Sequence, residues 1–286
     1  MYINYNIIFK SDLQKERDIM EEVKILEMIK NNPNIISTVE NPTEEMKKLA
    51  VSKNGLVLEY IKNPTREIEE LALENNIRAI KYIENPTEEM MIKAVNSGWS
   101  ILEHIKNPSD TVMKLAIDKA GWAIQYAKNP SEELQILAIR KNYDSIKFIK
   151  EPCEKAQQEA VKINYGALRF INSPNINTEI VAIKNNEAAI SFIKNLDKEK
   201  MFELLKANIM VIKYLSKDIT LEELEKVLKD ALSKEDVEEK YVRDFLSCSI
   251  IDRNSTNMKM DKIMFIYKYG SKKAKKIAVD EKLKMI

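Results

Sequence analysis

The stretch NPTEEMKKLAVSKNGLVLEYIK, residues 41–62, decides the fold, because its pattern recurs every 22 residues along the chain. Positions within a unit are called places below, so that Asn41 is at place 1 and Lys62 is at place 22. Pro stands at place 2 in the first seven units. Self-similarity at such a period is typical of solenoid proteins. Eight units align, and they begin at Asn41, Asn63, Asn85, Asn107, Asn129, Glu151, Ser173 and Asn195.

The first half of each unit is predicted to be a helix of about eleven residues. Pro is tolerated at the first helical position and pushes the preceding residue out of the helical conformation, so either Asn41 or Thr43 can cap the helix. Places 6, 10 and 11 are predicted to be buried, as in Met46, Ala50 and Val51. Alanine at place 10 in seven units indicates close helix contact. Asn, frequent at place 14, is predicted to end the helix in the left-handed conformation.

A second, shorter helix is predicted for the other half of the unit. Its apolar places 17, 18, 20 and 21 project onto one side of a 3.6-residue helix, as in Val57, Leu58, Tyr60 and Ile61. One unit buries only about six apolar side chains, too few to offset the entropy lost by its ordered backbone. Stacking on both neighbours supplies the missing burial. The sequence therefore predicts an all-α fold, an α-solenoid of stacked two-helix repeats with helical caps.

Both ends of the chain depart from the repeat. Residues 1–40 are predicted to form an N-terminal cap with a partial repeat, and residues 41–216 to form the eight tandem repeats. The register is lost after residue 216, where Thr220 and Glu223 have the spacing of a capping box. Residues 217–286 are predicted to be a C-terminal helical cap region that ends in a degenerate half-repeat at residues 271–282.

The composition excludes several classes of protein. No apolar run approaches the roughly 18 residues of a membrane-spanning helix, and the N-terminus lacks the pattern of a secretory signal, so we predict a cytoplasmic protein without membrane contact. Cys153 and Cys248 match no metal-binding spacing, and His104 is the only histidine, so no metal site and no cofactor is predicted. The chain has only five glycines, so no Gly-rich phosphate-binding loop is predicted. The net charge of +1 argues against a uniformly basic nucleic-acid binder.

The segments LAVSKNGLVLEYIKNP, residues 49–64, and NPSEELQILAIRKN, residues 129–142, resemble two groups of short helical repeats. One is an uncharacterised family whose units read AVxxNGxALxY, and the other is the variant leucine-rich repeat with its Asn-Pro punctuation. Both belong to the HEAT-like α-solenoid class. The resemblance covers residues 31–216; it implies a solenoid fold and binding to macromolecules, and it supplies no catalytic residue.

Function is expected on the exposed face of the second helix, because every strongly recurring residue already has a role in folding. On a 3.6-residue helix, places 15, 19 and 22 lie within about 60° of one another, opposite the apolar face. Aromatic and cationic side chains recur there, and Trp, Tyr and Arg dominate binding hot spots. The predicted partner-binding residues are Trp99, Lys106, Lys128, Tyr143, Lys147, Lys150, Tyr165 and Arg169, with Trp122 beside them at place 16.

These residues also have structural interpretations. Lysines at place 22, such as Lys106, are favoured near the C-terminus of a helix whether or not they bind a partner. Trp99 and Trp122 can pack between neighbouring units. His104 replaces the Tyr or Phe of its column and is predicted to be a core histidine rather than a ligand. The lysines at residues 272–276 are predicted to form a solvated helix face, although a basic tail could recruit an acidic partner.

The sequence predicts a non-enzymatic scaffold that binds a protein partner. Its richness in Lys, Asn and Ile, in a solenoid without an enzymatic module, suggests a phage or mobile-element inhibitor of a bacterial defence system. The alternative is a solenoid that binds nucleic acid through the lysine and aromatic ridge. A third interpretation is a DNA-glycosylase-like enzyme, to which some HEAT-like solenoids are similar, with Trp99, Trp122 and Asp144 as candidates. The sequence predicts neither the oligomeric state nor the partner.

Overall fold

The structure, a computed structural model, describes residues 2–283, with side chains at residues 16, 17 and 19–283. The chain divides into two compact units, unit 1 being Met1–Lys128 and unit 2 being Asn129–Ile286. All regular structure within residues 2–283 is helical, and one isolated bridge joins Asp252 and Lys259. In this range no helix is both long enough and apolar enough to cross a membrane.

Unit 1 begins with one long helix, after which 3-10 helices and α-helices alternate. The α-helices are α1 Tyr2–Asn31, α2 Glu44–Lys53, α3 Arg66–Asn75, α4 Glu88–Ser97 and α5 Asp110–Lys119. The 3-10 helices are η1 Pro33–Thr38, η2 Gly55–Tyr60, η3 Ile77–Tyr82, η4 Trp99–His104 and η5 Gly121–Tyr126. From α2 onward, each α-helix packs against the 3-10 helix before it and the one after it, and consecutive 3-10 helices pack on each other.

Unit 2 continues the same alternation and then becomes wholly α-helical. Its repeats contain α6 Glu132–Lys141, η6 Tyr143–Phe148, α7 Glu154–Ile163, η7 Tyr165–Phe170, α8 Ile176–Asn185, η8 Glu187–Phe192, α9 Lys198–Ala207, η9 Ile209–Val211 and α10 Ile212–Leu215. Then follow α11 Leu221–Leu232, α12 Glu239–Ser247, α13 Lys262–Tyr269 and α14 Lys272–Leu283. Helices α6 to α9 pack consecutively, and α12 packs against both η9 and α14. The predicted fold class, an all-α solenoid, is confirmed.

The α-helices of the repeats begin at place 4, and in six of the eight repeats the side chain at place 3 caps them. The Thr43 hydroxyl accepts a hydrogen bond from the N–H of Met46, so Thr43 rather than Asn41 is the cap. The first-place residues Asn63 and Asn195 instead have positive φ, at 48° and 53°. The same side-chain cap is formed by Thr87, Ser109, Ser131, Asn175 and Asp197.

The Asn at place 14 has a different role from the predicted one. Asn54 is extended, with φ −148° and ψ 102°, so the predicted left-handed helix end is wrong. Its side-chain oxygen accepts a hydrogen bond from the N–H of Leu56 at 3.1 Å, which caps the following 3-10 helix. The carboxamides of Asn164 and Asn208 accept the equivalent bonds at 2.8 and 3.0 Å. Asn at this place therefore ends one helix and starts the next without a left-handed residue.

The core lies between the α-helical and the 3-10 layer within each unit. Met46, Ala50 and Val51 are buried, as the sequence predicts for places 6, 10 and 11. The backbone at place 10 lies against the preceding repeat, since a Cβ on Gly55 would overlap with the carbonyl oxygen of Ala72. Alanine is buried at this place, so the first two repeats are in close contact there.

In the first seven repeats the second half is a 3-10 helix, and this changes which side chains are buried; in the eighth repeat η9 leads into the short α10. The N–H of Ile61 donates to the carbonyl of Leu58 at 3.1 Å, an i to i−3 bond that gives three residues per turn. Leu58 at place 18 and Ile61 at place 21 are buried, as predicted. Tyr60 at place 20 is 51% exposed, so the prediction that place 20 belongs to the buried face is wrong.

Candidate functional site

The predicted contact ridge has a different geometry from the one expected for an α-helix. Because side chains three residues apart align along a 3-10 helix, places 16 and 19 share the exposed line. Place 15 is half-buried wherever it carries Trp or Tyr, and place 22 follows the end of the 3-10 helix. Trp122 at place 16, 39% exposed, therefore lies on the ridge rather than beside it.

Half-exposed aromatic side chains at place 20 form a column in unit 1. We call Tyr60, Tyr82, His104 and Tyr126 the unit 1 column. Trp99 packs against Tyr126 of the following repeat, with ring centroids 6.4 Å apart. This packing between repeats accounts for the half-buried position of Trp99. The Tyr82 hydroxyl donates to the Glu59 carboxylate at 3.0 Å. Each contact joins one repeat to the next and leaves a ring edge at the surface.

The remaining predicted residues of unit 1 are cations at place 22. Lys106 and Lys128 are both exposed. The ammonium of Lys128 donates to the side-chain oxygen of Asn107 at 3.1 Å, which ties the end of the fourth repeat to its beginning. Glu103 and Gln125 occupy the exposed place 19 nearby, so the surface of unit 1 has mixed polarity.

A second aromatic column, this time mostly Phe, lies in unit 2. We call Phe148, Phe170, Phe192 and Tyr214 the unit 2 column. Phe148 is 39% exposed and Tyr214 is 49% exposed. Tyr165, half-buried at place 15, packs against Phe192 with ring centroids 6.3 Å apart. The unit 2 column therefore presents apolar rings to solvent at each of four successive repeats.

Cations lie across the rings of the unit 2 column. The Lys147 ammonium is 4.9 Å from the centroid of Phe148 and 5.9 Å from that of Phe170. The Arg169 guanidinium is 4.7 Å from the Phe170 centroid. All three distances are in the range of a cation–π interaction. The structure thus places the cations of Lys147 and Arg169 near the same ring, that of Phe170, and adds to them rings that the sequence placed in the core.

Two carboxylates lie among these cations. Lys147 pairs with Asp144 at 2.9 Å, and Lys213 pairs with Glu187 at 2.9 Å. The hydrogen bond from Lys213 holds the pKa of the Glu187 carboxyl below its usual range, and the same bond raises the pKa of Lys213. Within the part of the chain that the structure describes, Lys150 and Arg169 form no ion pair. Tyr143 is half-buried at place 15.

Among the described side chains, no group of three or more His, Cys, Asp or Glu could hold a metal ion. Cys153 and Cys248 are free thiols, and His104 is half-buried in the unit 1 column. The lysines at 272, 273, 275 and 276 are exposed on α14. The aromatic columns and their cations remain the most distinctive surface in each unit.

One signal in the sequence could have revealed the columns. Five of the eight residues at place 20 carry a polar tip, whereas places 17 and 18 are apolar apart from Ser145. Tyr and His suit a position with one apolar side and one wet side. The polar tips therefore indicate that place 20 lies at the boundary between the core and solvent. The assumption of a 3.6-residue period assigned this place to the core instead.

The sequence matches no model of a known protein family, and neither the curated proteins nor the solved structures give a match. The structure shows a helical repeat of packed helix pairs within each unit. Membership of a particular repeat family stays a prediction.

Proposed function

We propose that this chain is a non-enzymatic, cytoplasmic scaffold that docks a partner protein on the surfaces around its aromatic columns. The single observation that carries the proposal is the recurrence of half-exposed aromatic side chains at place 20 in every repeat. Aromatic rings offer large apolar area with little side-chain entropy to lose, and they dominate protein interfaces.

Paired substitutions in each unit test the proposal by affinity purification from cells of the native host, with quantitative recovery of bound proteins. The unit 1 pair is Tyr60→Ala with Trp122→Ala, and the unit 2 pair is Phe148→Ala with Tyr214→Ala. The four side chains are 39–51% exposed, so the substitutions leave the fully buried core residues in place. We expect at least one pair to lower partner recovery by about tenfold or more, as loss of a hot spot does.

A matched control is Tyr267→Ala, which removes an aromatic ring that is 72% exposed on α13, outside both columns. It should leave recovery unchanged. Circular dichroism melts of each variant verify folding. If both paired variants are folded and still recover the same amount of partner protein, the proposal is rejected.

A second candidate function is nucleic-acid binding, favoured by the exposed lysines at place 22. In unit 1 these are Lys62, Lys106 and Lys128. If each neutralises one phosphate of a duplex, log affinity should fall with log salt at a slope of about −2.7, from 3 × 0.9. A gel-shift titration over a range of salt measures this slope. Absence of binding at low salt excludes this candidate.

A further inference from the structure

Place 19 distinguishes the two units by charge. In unit 2 this exposed place carries Lys147, Arg169 and Lys213, with Ser191 as the fourth member. In unit 1 it carries Glu59, Lys81, Glu103 and Gln125. Place 19 therefore carries only cations and Ser191 beside the aromatic column of unit 2. Asp144 and Glu187 pair with two of these cations, whereas Arg169, without an ion pair among the described side chains, keeps its charge free to select a partner of negative charge.

Cations already lie over two rings of the unit 2 column. Lys147 lies over Phe148 and also approaches Phe170, and Arg169 lies 4.7 Å from the centroid of Phe170. A base of single-stranded nucleic acid that stacked on these rings would compete with the cations for the ring faces that they cover. The N–H groups of an exposed Arg169 remain available for ligands, since its guanidinium forms no ion pair with any side chain that the structure describes.

The ligand chemistry that fits such a guanidinium is a carboxylate. Arg binds carboxylates with two parallel hydrogen bonds, and stacking on Phe170 holds the planar group in one orientation. A continuous row of phosphates would also meet Asp144 and Glu187, which lie beside the stripe and pair with Lys147 and Lys213. Carboxylates spaced along a peptide can reach the cations without following every part of the stripe. Charge and geometry thus favour an acidic peptide over nucleic acid.

The spacing of the repeats indicates the conformation of that peptide. Packed helices lie about 8–10 Å apart. In a polyproline II segment every third residue faces the same side, and three residues advance about 9 Å. Successive repeats would therefore contact residues i and i+3.

We infer that the unit 2 stripe binds an extended acidic segment of the partner protein, with Asp or Glu at every third residue. This inference rests on the proposed function and names the chemistry of its ligand. Arg169 is the central anchor, and the rings of the unit 2 column contact the residues between the carboxylates.

Fluorescence anisotropy with the full chain and synthetic peptides tests the inference. The probe is a labelled peptide of about 12 residues, enough for four repeats, with Glu at every third position and Pro or Ala between. Two comparison peptides carry the same composition with the Glu residues contiguous, or Gln in place of Glu. We expect the spaced acidic peptide to bind at least about tenfold more tightly than either comparison peptide, and binding to weaken with salt.

The decisive variant is Arg169→Gln, which should lower the affinity for the spaced peptide by about tenfold. Its matched control is Lys162→Gln, an equal change of charge at an exposed position of α7 outside the stripe, which should have no effect. Equal binding by Arg169→Gln and the unchanged chain overturns the inference. So does equal binding of the Glu and Gln peptides, or no binding of the spaced peptide to the unchanged chain.

Two further outcomes distinguish the acidic peptide from nucleic acid and from failure of the proposed function. A single-stranded oligonucleotide of similar length that binds more tightly than the peptide, and that depends on Arg169, assigns the stripe to nucleic acid instead. Failure of the peptide while the paired column substitutions still abolish partner recovery rejects the acidic segment alone. Failure of both experiments rejects the proposed function as well.

Discussion

Replacing Gly55 with alanine is expected to lower the free energy of unfolding by about 2–3 kcal/mol, because the new methyl group has no room. Its Cβ would overlap with the carbonyl oxygen of Ala72 and approach the backbone nitrogen of Asn76 at 3.1 Å. Both neighbours are backbone atoms, so the clash is relieved only by moving one repeat against the next. The shift would also strain the bond from the N–H of Gly55 to the Asn75 side-chain oxygen, at 2.7 Å.

Gly98→Ala is the matched control in the same unit. A Cβ at Gly98 meets no heavy atom within 4 Å, and its φ of 166° is extended backbone that alanine adopts readily. Loss of chain entropy in the unfolded state should make this substitution neutral or stabilising by about 0.4–1 kcal/mol. Urea denaturation followed by circular dichroism compares the two variants. Equal midpoints for Gly55→Ala and Gly98→Ala would show that the first two repeats are not in the close contact described.

Burial in the first half of each repeat could be predicted from the sequence because that half is an α-helix and its apolar side chains follow the 3.6-residue period. Met46, Ala50 and Val51 recur at 3.6-residue spacing on a ten-residue helix, long enough for the period to be distinct. The choice between Asn41 and Thr43 as cap could not be made, since both side chains can accept the same backbone bonds. The structure decides it through the bond to the N–H of Met46.

The 3-10 half could not be distinguished from an α-helix by its apolar pattern. Successive residues turn by about 100° in an α-helix and by about 120° in a 3-10 helix, so over three residues the two differ by only about 60°. That difference is enough to move Tyr60 from the core to the surface. The apolar pattern also does not show that Asn54 is extended and caps η2, which is where the 3-10 helix begins.

The candidate site depends on contacts between repeats, which spacing within one repeat cannot reveal. Arg169 and Lys147 could be predicted as exposed cations from their place alone. That Lys147 reaches Phe170 of the next repeat, or that Trp99 packs on Tyr126, depends on how far apart neighbouring repeats lie. The pattern thus predicts which side chains face outward and leaves open which of them meet.

The same dependence on neighbouring repeats makes Lys200→Met a second strongly destabilising change, expected to lower the free energy of unfolding by about 2–4 kcal/mol. Lys200 stands at place 6, where the first six repeats carry buried apolar side chains. Its ammonium lies 3.0 and 3.2 Å from the two carboxylate oxygens of Glu179, whose side chain is 3% exposed. Methionine would leave this carboxylate buried without its cation. Lys217→Met, at an exposed lysine, is the control and should change little.

Glu179→Gln in the Lys200→Met chain should restore most of the lost stability, because an amide needs no counter-charge. Earlier repeats already use this solution at place 7: the Gln135 amide donates to the carbonyl of Pro130 at 2.9 Å, and Gln157 does the same to Pro152. Urea denaturation of both single variants and the double variant gives the coupling energy directly. If the double variant is less stable than Lys200→Met alone, the ion pair is not what holds this junction.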